Sequence, residues 1–311
     1  MGWSATNLPD QSGRRVVVTG GNGGLGLETA RQLAAAGAEV LIAARNAEKC
    51  DAAVASIGRS VPGARVSWRS LDLSSQAAVR EFTAWYLDQR SPLDLLVNNA
   101  GVMALPFSRT VDGWEKQLAT NHFGHFALTL GLMPALQARP GARVVTVASG
   151  MHWVGSWPEG DVDAEAGYSP WARYALTKLC NLLFTAELDR RLRAAGAQVA
   201  ALAAQPGYAA TDLQFVASRE TGERVQSALM WLGNHTIAQS AEAGAWPTVR
   251  AATDPEAQGG EYWGPRVLGW FGAPARAARS RAAQDAELAG RLWALSEART
   301  GLSLALAGGS R

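Results

Sequence analysis

The sequence predicts an α/β fold: a doubly wound parallel sheet with helices on both faces, three layers in all. Three observations carry this expectation. Short apolar runs alternate with helix-like segments from residue 14 to about residue 204. The runs are rich in Val, Leu and Ala, as strands buried on both faces are. The first run, Val16-Val17-Val18-Thr19, passes through glycines straight into an Ala/Leu-rich segment. Strands that alternate with helices pair in parallel, and right-handed crossovers place the helices on both sides, a Rossmann-type arrangement.

Each element follows from its residues. Residues 15–19 read as a buried strand, because a β-branched run ends in glycine. Residues 25–36 read as a helix closed by Gly37. A strand at 39–43, a helix at 47–57 and a strand at 66–71 follow. The next helix, 74–87, has Ser74 or Ser75 as its cap. Residues 93–97 and 143–147 are short apolar strands. Between them, 112 to about 138 reads as one long helix, bent or ended near Pro134. A second long helix spans 171–195, and a sixth strand spans 198–204. Beyond 205 the pattern loosens, and 205–236 is a candidate lid. A helix at 240–252, a seventh strand at 260–263, an Ala/Arg-rich helix at 276–298 and a frayed tail at 300–311 complete the reading. With no linker, repeat or low-complexity tract before residue 205, residues 1–311 are expected to form a single domain.

Composition excludes several classes. Apolar residues make up 48% and charged residues 18%, which excludes a disordered chain. A net charge of +2 gives no reason to expect nucleic acid. No apolar run approaches the roughly 20 residues that span a bilayer, and residues 1–14 lack the apolar core of a signal peptide. No membrane partner and a cytoplasmic location are therefore expected. Cys50 and Cys180 are too few for a disulfide framework and point to a reducing compartment. Tryptophan is abundant, 12 against 7 Phe. Trp153, Trp157, Trp171 and Trp231 are candidates for an apolar pocket. Trp85, Trp114, Trp246 and Trp293 fall in helical patterns and read as core.

The glycines after the first strand carry chemistry. Gly20, Asn22, Gly24, Leu25 and Gly26 form a strand–turn–helix that opens a βαβ unit. Such a turn brings backbone close to a pyrophosphate, and the helix N-terminus offers free N–H groups. A dinucleotide cofactor is expected here. An acidic residue about 20 positions on would bind an unmodified ribose. The second strand instead ends Ala43-Ala44-Arg45. A guanidinium pairs with a 2′-phosphate, so NADP(H) is favoured. The alternative is an ordinary solvated Arg45.

Tyr174 and Lys178 lie four apart in a helical segment and share one face. A nearby cation favours the phenolate, which is expected to lower the Tyr174 pKa and make it a usable acid or base. Ser149 follows the fifth strand, at the carboxyl end of the sheet where ligands bind. Its hydroxyl is placed to hold a carbonyl oxygen while Tyr174 moves the proton.

At this point the sequence resembles a known family. Thr19-Gly20 with Gly24 and Gly26, Asn98-Asn99-Ala100-Gly101, Asn121, Ser149, Tyr174 with Lys178, and Pro206-Gly207 fall in the order and spacing of the short-chain dehydrogenase/reductases, over roughly residues 14–263. The chain is most similar to the retinol dehydrogenase and WW-domain-oxidoreductase-like branch, bacterial members included. The features are Gly24-Leu25-Gly26, the run Thr120-Asn121-His122-Phe123-Gly124-His125-Phe126, and an insertion that sets Ser149 and Tyr174 25 residues apart. The resemblance implies about seven strands and a single dinucleotide-binding catalytic domain. It implies that Tyr174 donates or accepts the proton and that Lys178 binds the nicotinamide ribose. Ser149 would orient the substrate oxygen, and Asn121 would hold a relay water. Asp72 and Leu73 would contact the adenine. Asn99, Ala100 and Gly101 would line the ribose, and Pro206, Gly207 and Thr211 would hold the nicotinamide end. It also implies a homodimer or homotetramer through the two long helices.

The sequence departs from the family pattern at Ala148, Gly23, Gln205 and Ala209. Gly23 stands where serine is frequent in NADP-dependent members. None of the four is a catalytic group. Among His122, His125, His152 and His235, no pair has metal-ligand spacing with a third donor, so no metal is expected. His152, three residues past Ser149, is a candidate to face substrate. Cys180 reads as a small core residue, and Arg276–Arg281 as a solvated helix face.

The combined expectation is an NADP(H)-dependent oxidoreductase that interconverts a bulky apolar ketone or aldehyde and its alcohol. The rivals are a dinucleotide-binding sensor without turnover, a scaffold using exposed aromatic residues, and a reductase of activated C=C bonds.

Overall fold

The computed structural model describes residues 3–163, 165–207 and 239–306. Strand β1 (Arg15–Thr19) leads into α1 (Gly24–Ala35), β2 (Glu39–Ala44) into α2 (Ala47–Ser60), and β3 (Arg65–Ser70) into α3 (Gln76–Asp88). Strand β4 (Leu95–Asn98) is followed by a broken helix: α4 (Lys116–Leu118), a π-helical turn (Ala119–Phe123) and α5 (Gly124–Gln137). Then come β5 (Ala142–Val147), a 3-10 turn (Gly150–Trp153), α6 (Pro170–Ala194) and β6 (Val199–Ala204). Helix α7 (Ala241–Thr253), the strands β7 (Tyr262–Val267) and β8 (Phe271–Arg276), and α8 (Ala286–Thr300) end the described chain.

One sheet holds all the described strands in the order β3-β2-β1-β4-β5-β6-β7-β8. Every pairing is parallel except β7 with β8. Alternation along the strands builds two cores. Val16, Val18, Leu95, Val97 and Val145 face Leu33 of α1, Ile57 of α2 and Val249 of α7. Val17, Leu96 and Val144 face Phe82 of α3, Phe126 of α5, Phe184 of α6 and Trp293 of α8. The strand order reverses between β1 and β4, so a crevice opens at the carboxyl ends of these strands.

Caps explain the helix limits. Ser75 Oγ accepts from Ala78 N at 3.3 Å and starts α3, which selects Ser75 over Ser74. Helix α6 starts at Pro170, whose missing N–H costs nothing at a first position.

Several expectations need correction. The helix expected from 112 begins at Lys116, because Asp112-Gly113 forms a turn closed by the Arg109–Glu115 backbone bridge. Its first N–H groups, on Gln117 and Leu118, are taken by the Glu115 carboxylate. Pro134 does not end α5, which runs to Gln137 with both sides of the helix buried. The seventh strand continues to Val267, and an eighth, antiparallel strand follows it. Arg276–Arg281 is not a helix face: Arg276 ends β8, and the loop beyond folds over His152, with Ser280 N donating to His152 Nε2 at 3.2 Å. Helix α8 starts only at Ala286, capped by Asp285. The tail is packed as far as it is described: Leu302, Leu304 and Leu306 lie against the core of α5, α6 and α8. Of the candidate lid, residues 208–236 lie outside the described residues, as do Trp231 and His235.

Two covered surfaces bear on assembly. The outer side of α5 and α6 carries α8 and residues 301–306: Trp293 stacks on Phe184 at 6.1 Å, and Gln137 Nε2 donates to Ala305 O at 3.1 Å. The resemblance implied pairing of copies through these helices, and that side is occupied by the chain itself. At the edge of the sheet, Gln239 donates to Trp270 O at 2.6 Å and accepts from Gly272 N at 3.3 Å. Pro274 has no N–H, and its carbonyl accepts from Arg250 at 2.7 Å.

Candidate active site

The glycine turn sits at the carboxyl end of β1. Gly20 has φ of +65°, a conformation that a side chain resists. A Cβ at Gly26 would lie 2.3 Å from Gly20 O and 2.4 Å from Asn99 Nδ2. Helix α1 therefore begins tight against the strand with no side-chain cap; Leu25 lies in its first turn and Asn22 in the turn before it. A Cβ at Gly23 meets nothing within 4 Å, so the ligand side of the turn is open. This cradle fits a pyrophosphate. Arg45 follows β2 and is exposed, with Nη1 3.8 Å from Asp72 Oδ1. Ala43 and Ala44 before it are buried, and no carboxylate stands at the end of that strand. Asp72 is held by Ser74, whose N and Oγ donate to Oδ1 at 2.9 and 2.6 Å. Leu73 beside it is buried.

The wall after β4 is tied to β1. Asn99 Nδ2 donates to Thr19 O at 2.8 Å. Thr19 Oγ1 accepts from Asn99 N and Ala100 N, each at 2.9 Å. Gly101 lies where a Cβ would be 3.3 Å from Asn121 Oδ1 and 3.8 Å from Lys178 Nζ. The wall after β4, Asn121 and Lys178 thus meet at one place.

The four candidate catalytic groups come from four elements. Asn121 lies in the π-turn. Its Nδ2 donates to Val102 O at 2.8 Å and Thr177 Oγ1 at 3.0 Å, and its Oδ1 accepts from Val102 N at 2.7 Å. Its amide N–H groups are used up, so it can meet a water only as an acceptor. Lys178 Nζ donates to Val147 O at 3.2 Å and sits 5.5 Å from the centre of the Tyr174 ring. Ser149 leaves β5 and caps the 3-10 turn, its Oγ accepting from Met151 N at 3.2 Å. Tyr174 is buried in the first turns of α6.

Burial governs their protonation. It pushes the Tyr174 hydroxyl up to about 12, and a hydrogen bond from Ser149 works the other way. It pulls the Lys178 ammonium down to about 8. The expectation that Lys178 lowers the tyrosine pKa is not met in this structure. Desolvation is the larger influence on the Tyr174 hydroxyl, and the influence that opposes it comes from Ser149.

His152 does not face the crevice. Its Nδ1 donates to Ser149 O at 2.7 Å, its Nε2 accepts from Ser280 N, and it is buried. His122 is core, bonded to Ser296 Oγ at 2.8 Å. Cys180 and Cys50 are buried, as expected for packing residues. Trp171 stands edge-on to Tyr174 at 6.3 Å and, like Trp153, is exposed. Trp114 and Trp293 belong to the cores, and Trp157 packs, partly buried, against one of them. Pro206 and Gly207 lie at the end of β6, with the β7–β8 turn against Gly207. Thr211 lies outside the described residues.

Some residues escaped the sequence reading. Met103, Ala104 and Met151 pack around Tyr174 as a small apolar cluster. Their place just after the Asn-Asn-Ala-Gly run and just after Ser149 was the available signal. Ala104 has φ of +50°, which nothing in an alanine announces. A cavity of about 310 Å³ beside Trp157 and Arg291 touches none of these groups.

Comparison with known proteins identifies the family. Residues 14–221 match the family described as short chain dehydrogenase. The polyprenol dehydrogenase of Mus musculus is 41% identical over 308 residues, 97% of this chain and 87% of that protein. Retinol dehydrogenase 13 of Homo sapiens is 36% identical over 300 residues, 93% of this chain and 85% of that protein. Among solved structures, an uncharacterized protein of Mycobacterium paratuberculosis is 42% identical, with a TM-score of 0.81 over 98% of this chain and 100% of that one. The Pseudomonas aeruginosa RhlG/NADP complex is 25% identical, with a TM-score of 0.62 over 81% of this chain and 94% of that one. No helix among the described residues is long and apolar enough to cross a membrane. Over its motifs, its sheet order and its relatives, the chain belongs to the short-chain dehydrogenase family and fits the retinol dehydrogenase-like branch.

Proposed function

We propose that the chain acts as a single catalytic domain that interconverts a bulky apolar ketone or aldehyde and its alcohol, with NADP(H) as cofactor. One observation carries the reading: Ser149, Tyr174, Lys178 and Asn121 converge at the carboxyl ends of the strands, beside a cradle that only glycine permits. Arg45, with no carboxylate on the strand before it, suits a 2′-phosphate. RhlG, a relative solved with NADP, supports the same cofactor. When bound, the nicotinamide supplies or takes the hydride. The chain's own residues do the rest. In reduction, the Ser149 hydroxyl holds the substrate oxygen and Tyr174 protonates it. Tyr174 is well placed as a donor, because burial keeps its hydroxyl protonated across the working range. Lys178 stands beneath Tyr174, and Asn121 offers acceptors to a water that restores the proton.

Met103, Ala104, Met151 and Trp171 give the region around Tyr174 an apolar lining. Polyprenol and retinol, named in two relatives, are long apolar alcohols, which supports a substrate of that character. The test is NADPH oxidation with a panel of aromatic, polycyclic and isoprenoid ketones and aldehydes, wild type beside Tyr174→Phe. An alcohol product that disappears in the variant is expected. A saturated carbonyl product would make the chain a C=C reductase instead. Tight NADPH binding with no turnover in either direction would make it a sensor.

A further inference from the structure

His125 is buried, yet no role in the reaction uses it. Its two ring nitrogens reach in opposite directions. Nδ1 lies 3.1 Å from the main-chain carbonyl oxygen of Asn121, and Nε2 lies 2.9 Å from Thr19 Oγ1. A carbonyl only accepts, so Nδ1 carries the proton and donates it. Burial pulls the imidazole down to about 4, so it is neutral and Nε2 is an acceptor. The Thr19 hydroxyl proton therefore goes to Nε2. The other acceptor in its reach, Val97 O, is farther away at 3.3 Å. Both lone pairs of Thr19 Oγ1 are taken by Asn99 N–H and Ala100 N–H. The chain of bonds is complete. It runs from the carbonyl of a candidate relay residue, through one imidazole, to the hydroxyl that holds the ribose wall against the glycine turn.

We propose that His125 is a positioning residue with two separable duties. Its Nε2 seats the cofactor wall through Thr19, and its Nδ1–H aims the Asn121 carbonyl, the acceptor that a proton-returning water would meet. The second duty rests on the oxidoreductase reading above; the first does not.

Side-chain geometry allows the duties to be tested apart. Asparagine places an amide N–H near the Nδ1 position and leaves Thr19 without its acceptor. Glutamine places a carbonyl near the Nε2 position and leaves Asn121 without its donor. NADPH affinity, read by nucleotide fluorescence, needs no substrate. His125→Asn and Thr19→Val are each expected to weaken NADPH by about tenfold or more, as loss of a buried hydrogen bond does. The double variant is expected to be no weaker than Thr19→Val alone, because the two changes break one chain. His125→Gln is expected to hold NADPH within about threefold of wild type, while its kcat at saturating NADPH falls about tenfold, more than that of His125→Asn. Thermal midpoints for all variants identify any that fail to fold. Additive losses in the double variant, or affinity lost equally in the Asn and Gln variants, would overturn the first duty. Undiminished kcat in His125→Gln would overturn the second. If wild type turns over neither carbonyl nor alcohol, the carbonyl–alcohol reading and the second duty fall together, while the affinity cycle still decides the first.

Discussion

Tyr174 and Lys178 show how a single residue's surroundings set its task. Both are buried, and burial moves them in opposite directions: the hydroxyl up to about 12, the ammonium down to about 8. Between these values the tyrosine is a neutral donor. Tyr174→Phe removes the hydroxyl proposed as proton donor but little volume. Turnover is expected to fall by about 10²–10⁴-fold, with NADPH affinity little changed. The pH dependence of kcat/KM for reduction is expected to be level from pH 6 to 7 and to decline above about pH 8, as Lys178 loses its proton. A decline that begins only near pH 10 would mean the free protein keeps an ordinary lysine there. His122 and His125 make a different statement. Burial lowers them to about 3 and about 4, while in the unfolded chain each titrates near 6.5. Below that value the unfolded chain takes up protons that the fold refuses, so stability is full above about pH 6.5 and is lost as pH falls towards 4. Each contributes on the order of 3 kcal/mol. Urea midpoints at pH 7 and pH 5.5 check this, with a smaller difference expected in His122→Phe.

At the scale of elements, the site depends on how tightly one segment approaches another. Gly26→Ala places a methyl 2.3 Å from Gly20 O and 2.4 Å from Asn99 Nδ2. Helix α1 must then lift from β1, and NADPH binding is expected to be lost while the far side of the sheet stays folded; nucleotide fluorescence and circular dichroism read the two. The start of α6 is held just as firmly. Buried Glu115 caps the Gln117 and Leu118 N–H groups, lies 3.9 Å from Arg173 and accepts from Tyr168 at 3.2 Å. This clamps the Ser149–Tyr174 insertion against the helix that presents Tyr174. Much of this level was legible in the sequence. The six strands up to residue 204 and, apart from the long helix after β4, the helices between them fall within a few residues of expectation, because apolar runs and capping serines act locally. The break at residues 112–123 was not legible. It arises from Glu115 meeting Arg173 and Asp163 across some 50 positions, and local pattern carries no trace of such a meeting. The duties of Thr19 and His125 were hidden for the same reason: each depends on a partner from another strand or helix.

The whole molecule adds an eighth strand and a packed tail to the expected sheet, and it moves the start of the last helix from residue 276 to Ala286. Helix α8 and residues 301–306 cover α5 and α6, with Trp293 against Phe126 and Phe184. Removing residues 286–311 uncovers that apolar side. The truncated chain is expected to associate or precipitate, whereas ending the chain after Gly301 costs about 3 kcal/mol from three half-buried leucines, a drop of roughly 5–10 °C in Tm. Size-exclusion chromatography and thermal melts distinguish the two. The last helix and the tail were misread because their packing partners, on α5 and α6, lie more than 100 residues earlier in the chain. The blocked edge of β8 has a consequence of its own. A newly made or half-melted sheet is hazardous where a free strand can recruit its like. Here the Gln239 amide occupies the groups of Trp270 and Gly272, Pro274 has no hydrogen to offer, and Arg250 takes its oxygen. The terminal strand is thus a poor template for fibril-like growth, and concentrated solutions of the intact protein should resist that route to aggregation even where apolar side chains are exposed nearby.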